Sequence, residues 1–330
     1  MNDLRLDDDS ARHCAELRAI LKEPIADAIR QYFTDQKMQP DWSPVILAQL
    51  QVLIDSLNST NIDKVQARMI FDAMLAHPEL QFNAELEVAG LKIAARNGYL
   101  DAMTRLAEFY LHGYRVNKDI NECIYYLELA AENGSMASVN KLAEIYAYGV
   151  GVQADHTKSV EYFKKSATSG DMYGQYGLGI AFRKGWGVEK NENADLFWIT
   201  LAAEQGLDQA QHDIAWNYHM NEGFGINYQL AYFWYQLAAA QGFMDSINNL
   251  GELYLHGNGV EKNLSEALKW FSIAALHGDE DAKNSVSEIK NKISREDEEA
   301  SIIAMNIWLD LHSAAKKRIL EDPKYENLTN

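Results

Sequence analysis

Leu250-Gly251-Glu252-Leu253-Tyr254-Leu255-His256-Gly257-Asn258-Gly259-Val260, followed by Trp270-Phe271 and by Ala274-Ala275-Leu276-His277-Gly278, is the stretch whose reading decides the fold. Leu250 and Tyr254 lie four residues apart and share one helix face. Gly257 marks the point where that helix must break, because glycine enters backbone conformations that other residues resist. Trp270 and the alanine pair that starts at Ala274 are again four apart, on a second helix that Gly278 ends. The unit reads as helix, turn, helix, glycine stop.

Stepping back along the chain by 36 residues finds the unit again. Gly98, Gly134, Gly170, Gly206, Gly242 and Gly278 keep this interval, each preceded by a small pair such as Ala130-Ala131 or Ser166-Ala167. Tyr126, Tyr162, Trp198, Trp234 and Trp270 keep it too, as do Tyr110, Tyr146, Phe182, Tyr218 and Tyr254. Leu106, Leu142, Leu178, Ile214 and Leu250 form a further row, and Gly113, Gly149, Gly185 and Gly257 recur at the turn. Neither helix of such a unit can bury its apolar stripe alone, so the units must stack. The sequence therefore predicts an all-α solenoid of 36-residue helix-turn-helix repeats with helical caps at both ends.

These residues resemble a known family. Ala-x-x-x-Leu-(Ala/Gly)-x-x-Tyr, then Gly-x-Gly-Val, Asp or Asn, a Trp-Tyr or Trp-Phe pair and Ala-Ala-x-x-Gly is similar to the Sel1-like repeat, a relative of the tetratricopeptide repeat. The resemblance covers residues 83–278 as a leading half repeat and five full ones. It implies a right-handed superhelix used for protein–protein contact, as adaptor or scaffold. One copy departs, with Asn221 at the turn glycine and Glu222-Gly223-Phe224-Gly225 after it, so a different loop conformation is expected there.

Residues 1–82 lack the 36-residue phase and read as an N-terminal helical cap or a small separate helical domain, with helices from Ser10, Ser43 and Asn61. Residues 279–330 read as C-terminal capping helices. Ala282, Val286 and Ile289 begin one more, degenerate first helix, and Glu296-Asp297-Glu298-Glu299 favours the N-terminus of a last helix running to about Leu320. Ile302, Met305, Trp308 and Leu309 give that helix an apolar stripe, suited to capping the last repeat or to docking.

The 330 residues carry a formal charge of -18, spread along the chain. Phosphate backbones would be repelled, which argues against nucleic acid and equally against anionic membrane surfaces. The acidity serves solubility or draws a basic protein partner. Cys14 and Cys123 stand in unrelated contexts and imply no disulfide framework. The N-terminus has no basic region followed by an apolar core, and no stretch is long and apolar enough to span a bilayer, so a cytoplasmic location is expected.

The sequence carries little that points to catalysis or metal binding. His212 and His219 are seven residues apart on one helix, which separates them by about 10 Å along its axis and argues against a shared metal. Gly149-Val150-Gly151 and Gly257-Asn258-Gly259 fall between helices, where they serve as repeat turns rather than phosphate cradles. No cofactor and no catalytic group are expected. In tetratricopeptide-like stacks the first helix of each unit lines the concave surface, and aligning on Leu106, Ala107 and Tyr110 leaves a set of positions free for a partner. These are Glu108 and His112; Asn140, Glu144 and Tyr148; Tyr176, Ile180 and Arg183; His212, Trp216, His219 and Met220; and Asn248, Glu252 and His256. They vary from copy to copy while the packing columns do not. Tyr176 and Trp216 either anchor a partner or fill the groove from within. The expected function is a non-enzymatic protein-binding module, in first place an acidic immunity or inhibitor protein that neutralises a toxin or effector, and otherwise a signalling or assembly scaffold.

Overall fold

A computed structural model of the protein describes residues 84–220, 225–312, 315 and 317. The cap expected over residues 1–82, the departure at Asn221-Glu222-Gly223-Phe224 and the far end of the last helix lie outside them. Every regular element among the described residues is an α-helix. In order these are α1 (Ala84–Arg96), α2 (Leu100–His112), α3 (Ile120–Glu132), α4 (Met136–Tyr148), α5 (His156–Thr168), α6 (Met172–Lys184), α7 (Glu192–Glu204), α8 (Asp208–Met220), α9 (Tyr228–Ala240), α10 (Met244–His256), α11 (Leu264–Leu276), α12 (Glu280–Lys290) and α13 (Arg295–Leu311).

The helix starts are written into the repeat. Asp119, Asp155, Asn191, Asn227 and Asn263 recur every 36 residues, and each side chain accepts a hydrogen bond from a backbone N–H two or three residues on. This satisfies amides that the first turn of a helix leaves open. The first helices end as the turn glycines require: Gly113, Gly149, Gly185 and Gly257 adopt φ of 73°, 68°, 72° and 78°, and each N–H returns to the carbonyl four residues earlier. In α2's turn the second glycine of Gly-x-Gly-Val is replaced by Arg115, which takes the same left-handed backbone at φ 64°. Its guanidinium is held by Glu87 at 3.1 Å and lies over the Tyr114 ring.

The chain divides into two compact units, Met1–Ile145 with Gly149–Gln153, and Tyr146–Tyr148 with Ala154–Asn330. In the first, α1 packs on α2 and α2 on α3. Leu106 and Leu142 are wholly buried, and Tyr110 stacks on Tyr126 with ring centres 5.8 Å apart and planes within 8°. In the second, each helix from α5 to α11 packs on the next, and α11 also receives α12 and α13. Tyr146 and Tyr162 repeat the stacking at 6.0 Å. The rows read from sequence as packing columns are therefore the surfaces on which first and second helices meet, and the alanines beside them let the backbones come close.

At the C-terminal end Ala282 and Ile289 are buried. Leu309 is buried, Met305 and Trp308 pack on the same core, and Trp308 meets Trp270 edge-on at 5.2 Å. The fourth member of the expected stripe, Ile302, is 39% exposed instead, and Ile303, Ile307 and Leu311 carry an apolar face into solvent.

Candidate functional site

The positions singled out on the first helices separate into three environments. In the first unit Glu108, His112 and Glu144 are exposed. Asn140 is a correction: it is 7% exposed and offers no side chain to a partner. Its repeat equivalents Tyr176, His212 and Asn248 are also turned inward in part. Tyr176 and His212 show why, since each bonds to the next first helix.

In the second unit Tyr148 is exposed and packs edge-on against Trp186 at 5.7 Å. The other face of this aromatic group is His156, stacked on Trp186 at 4.8 Å. Tyr176 and Ile180 lean on the cluster formed by Ile199, Ala202, Ala203, Leu207, Ala210 and Ile214, so both contribute to internal packing. At the outer end of α10, Glu252 and His256 pair with each other at 3.2 Å and stay accessible. Met220, at the end of α8, is half exposed.

Four expected residues come together. Arg183, His212, Trp216 and Asn248 line one cleft of about 480 Å3, where they are joined by Asp213, Asn217, Asp245 and Asn249. The cleft takes Arg183 from the last turn of α6 and the remaining residues from α8 and α10. Its volume falls within the range of about 300–1,000 Å3 usual for sites that take small groups.

Polar contacts fix its walls. Arg183 Nε donates to Asp195 Oδ2 at 2.8 Å, and its Nη1 donates to Asp213 Oδ2 at 2.9 Å. The Tyr176 hydroxyl reaches the same Asp213 oxygen at 3.4 Å. Asp195 sits behind, with 8% of its side chain exposed, and burial holds its carboxyl above the ordinary range against the pull of Arg183. His212 Nδ1 shares a hydrogen bond with Ser246 Oγ at 2.9 Å, and its ring is enclosed by Trp216, Tyr235 and Phe243. Burial lowers the His212 pKa, opposed by Asp213 and Asp245, so the ring favours the neutral form. His219 likewise meets the Tyr235 hydroxyl at 3.3 Å and is lowered by burial. Trp216 keeps 37% of its surface exposed at the cleft.

Asp213, Asn217, Asp245 and Asn249 were not reached from the sequence. A signal existed for two of them: Arg105, Lys141, Gly177, Asp213 and Asn249 form one column, beside the Leu/Ile row, that is basic in the first two copies and changes chemistry in each of the next three. Among the described residues no group of three or more His, Cys, Asp or Glu is arranged to hold a metal ion. No helix among them is long and apolar enough to cross a membrane. Cys123 is buried, which pushes its thiol up to about 11 and leaves it protonated at neutral pH.

Helical pairs packed in series within each unit, and in the second a cleft walled by first helices, define a repeat-built all-α solenoid. The signature described as Sel1 repeat matches residues 100–135, 137–171, 173–207, 208–243 and 245–279, more than half of the chain, and the chain belongs to the Sel1 repeat family. A Sel1 repeat protein from Oxalobacter formigenes is similar in structure, with 24% identity, a TM-score of 0.55 and coverage of 66% of this chain and 89% of its own. That likeness shows a common fold. Looser superpositions are found with c5321, a protective antigen of uropathogenic Escherichia coli strains with an SLR fold (18% identity, TM-score 0.33, 83% of this chain and 85% of the other). Another is the immunity protein Pa5087 of Pseudomonas aeruginosa, at 15% identity and a TM-score of 0.40 over 73% of this chain and 85% of the other. No curated protein matches the chain.

Proposed function

We propose that this Sel1 repeat chain is a non-enzymatic binding protein that captures a protein partner on its first-helix face and, by holding it, neutralises a toxin or effector in the cytoplasm. The observation that carries the reading is the contrast within those helices: Leu106, Leu142, Leu178, Ile214 and Leu250 are near-constant and buried, whereas the exposed position six residues after each changes from His112 to Tyr148, Lys184, Met220 and His256. A surface that varies under a constant core is what selective recognition needs. The net charge of -18 supports a basic partner, attracted over distance and held with marked salt dependence.

The apolar face of α13 favours a second reading. Ile303, Ile307 and Leu311 are 60%, 55% and 76% exposed, a row suited to a second partner, which fits an assembly scaffold. Affinity purification from the native host, with the full chain and its Trp216→Ala variant as baits, separates these ideas. One dominant basic protein, lost with the variant and released by moderate salt, supports neutralisation. Capture that is untouched by Trp216→Ala removes the first-helix face as the site.

A further inference from the structure

The cleft between α8 and α10 has charge and hydrogen-bonding capacity left over, and both point to the same class of ligand. Arg183 is already divided between Asp195 and Asp213. Asp245, on the opposite wall, is exposed and has no hydrogen bond or ion pair among the described residues. Two carboxylates and one committed guanidinium thus leave the cleft net negative, with the indole of Trp216 accessible beside them. Aromatic faces and carboxylates together suit a guanidinium or ammonium group.

Deeper in the cleft, Asn217 is only 6% exposed and its Nδ2 has no hydrogen-bond partner among the described residues. Arg183 Nη2 and Asn248 Oδ1 are in the same condition. Buried amides are normally paired, because an unpaired one has given up water without replacement. Two donors and one acceptor left open on neighbouring helices match a peptide unit, whose carbonyl accepts from Asn217 or Arg183 and whose N–H donates to Asn248.

The geometry points to this cleft as a receptor for an extended segment of the partner carrying an arginine or lysine, with Asp245 and Trp216 taking the cationic side chain and Asn217, Arg183 and Asn248 taking the adjoining peptide group. This deepens the proposal that the first-helix face captures a protein, and rests on it. An acidic segment would meet the uncompensated carboxylate of Asp245 and is disfavoured.

The test uses the full chain labelled with nitrogen-15 and three small probes: N-acetyl-arginine N-methylamide, its glutamate counterpart, and methylguanidine, which lacks the peptide groups. The arginine probe should move the Trp216 indole N–H resonance saturably, in the millimolar range expected of so small a ligand. Methylguanidine should bind more weakly and the glutamate probe not at all. Asp245→Asn should weaken the arginine probe about fivefold, the effect of one exposed charge pair. Asn217→Leu should weaken it about tenfold without lowering the melting temperature, because it removes an unpaired buried amide while keeping the branched outline of the side chain. That combination separates a ligand-holding residue from a merely structural one. The inference is overturned if the arginine probe causes no saturable shift, if the glutamate probe binds as well, or if Asp245→Asn binds like the parent. Loss of the host partner with Trp216→Ala, alongside silence from the arginine probe, would overturn this inference and leave the protein-capture reading standing; binding of the probe with a partner indifferent to Trp216 would overturn both.

Discussion

Arg183 stands at a position that the repeat leaves free for a partner, yet the structure ties it inward, so its removal is the sharpest test of the site's architecture. In Arg183→Met the stem is kept and the charge is lost. Asp195, with 8% of its side chain exposed, then has no cation against it, and Asp213, at 19%, loses its shortest contact. Breaking a fully buried pair from one side costs about 3–5 kcal/mol. Arg183 is itself 36% exposed, and solvent screening reduces that figure, so a loss of about 2 kcal/mol is expected. For a domain of this size roughly 2–4 °C accompany each kcal/mol, which places the fall in melting temperature at about 4–8 °C. Thermal unfolding followed by circular dichroism at 222 nm measures it directly. The double variant Arg183→Met/Asp195→Asn removes the orphaned charge along with its partner and should recover most of the loss. A single variant that melts with the parent, or a double variant that melts lower than the single, would refute the claim that Arg183 serves to hold these carboxylates.

Three further outcomes follow from the same structure. Asn191→Ala removes the side-chain cap on the Ala194 N–H at the start of α7 and should cost about 1 kcal/mol in a melting experiment, with Asn191→Asp close to neutral. Gly177→Ala, although it raises helix propensity, should destabilise, because the added Cβ would stand 2.2 Å from a ring carbon of Phe163; an overpacking cost of about 1–3 kcal/mol outweighs the roughly 1 kcal/mol propensity gain. Burial holds His212 and His219 below their ordinary 6.5, so the unfolded chain binds more protons just beneath that value. Stability should therefore fall as pH drops through about 6.5 and stop falling once the native rings protonate, a trend flattened in a His212→Gln/His219→Gln variant. Asp195, raised by burial, acts in the opposite sense at lower pH.

The repeat was legible because every copy solves one packing problem in one way. Leu250, Tyr254, Gly257, Trp270 and the alanines recur because a helix pair buries the same stripe against the same neighbours each time, and the period exposes those positions without any knowledge of coordinates. The caps Asp119 through Asn263 belong to the same class. The site was legible only in part. Its contacts join neighbouring repeats at separations unlike the period: Arg183 to Asp213 spans 30 residues, His212 to Ser246 spans 34, and Tyr176 to Asp213 spans 37. A search in phase with the repeat finds Arg183, His212, Trp216 and Asn248 but not which of them meet. It also counts Asn140 as accessible, although the structure buries that side chain.

The location of the cleft within the array follows from an irregularity that the sequence displays openly. Helix α6 carries Gly174, Gly177 and Gly179 within one and a half turns, a composition that weakens an isolated helix by about 1 kcal/mol per glycine. Each glycine faces a neighbour too near for a side chain: a Cβ would lie 2.3 Å from Ser166 Oγ at Gly174, 2.2 Å from Phe163 at Gly177 and 2.6 Å from Ile199 at Gly179. Helix α6 is therefore seated closely against both α5 and α7. Ile199 lies one turn beyond Asp195 on α7, and Arg183, one turn beyond Gly179 on α6, forms its ion pair with Asp195 from that close approach. With Nε committed there, Nη1 extends to Asp213 on α8 and makes the floor that His212 and Trp216 rise from. Local helix stability is given up at α6 for backbone proximity, and that proximity places a guanidinium between two first-helix neighbours in this copy alone among those described. The polar cleft is thus a consequence of where the repeat departs from its own average.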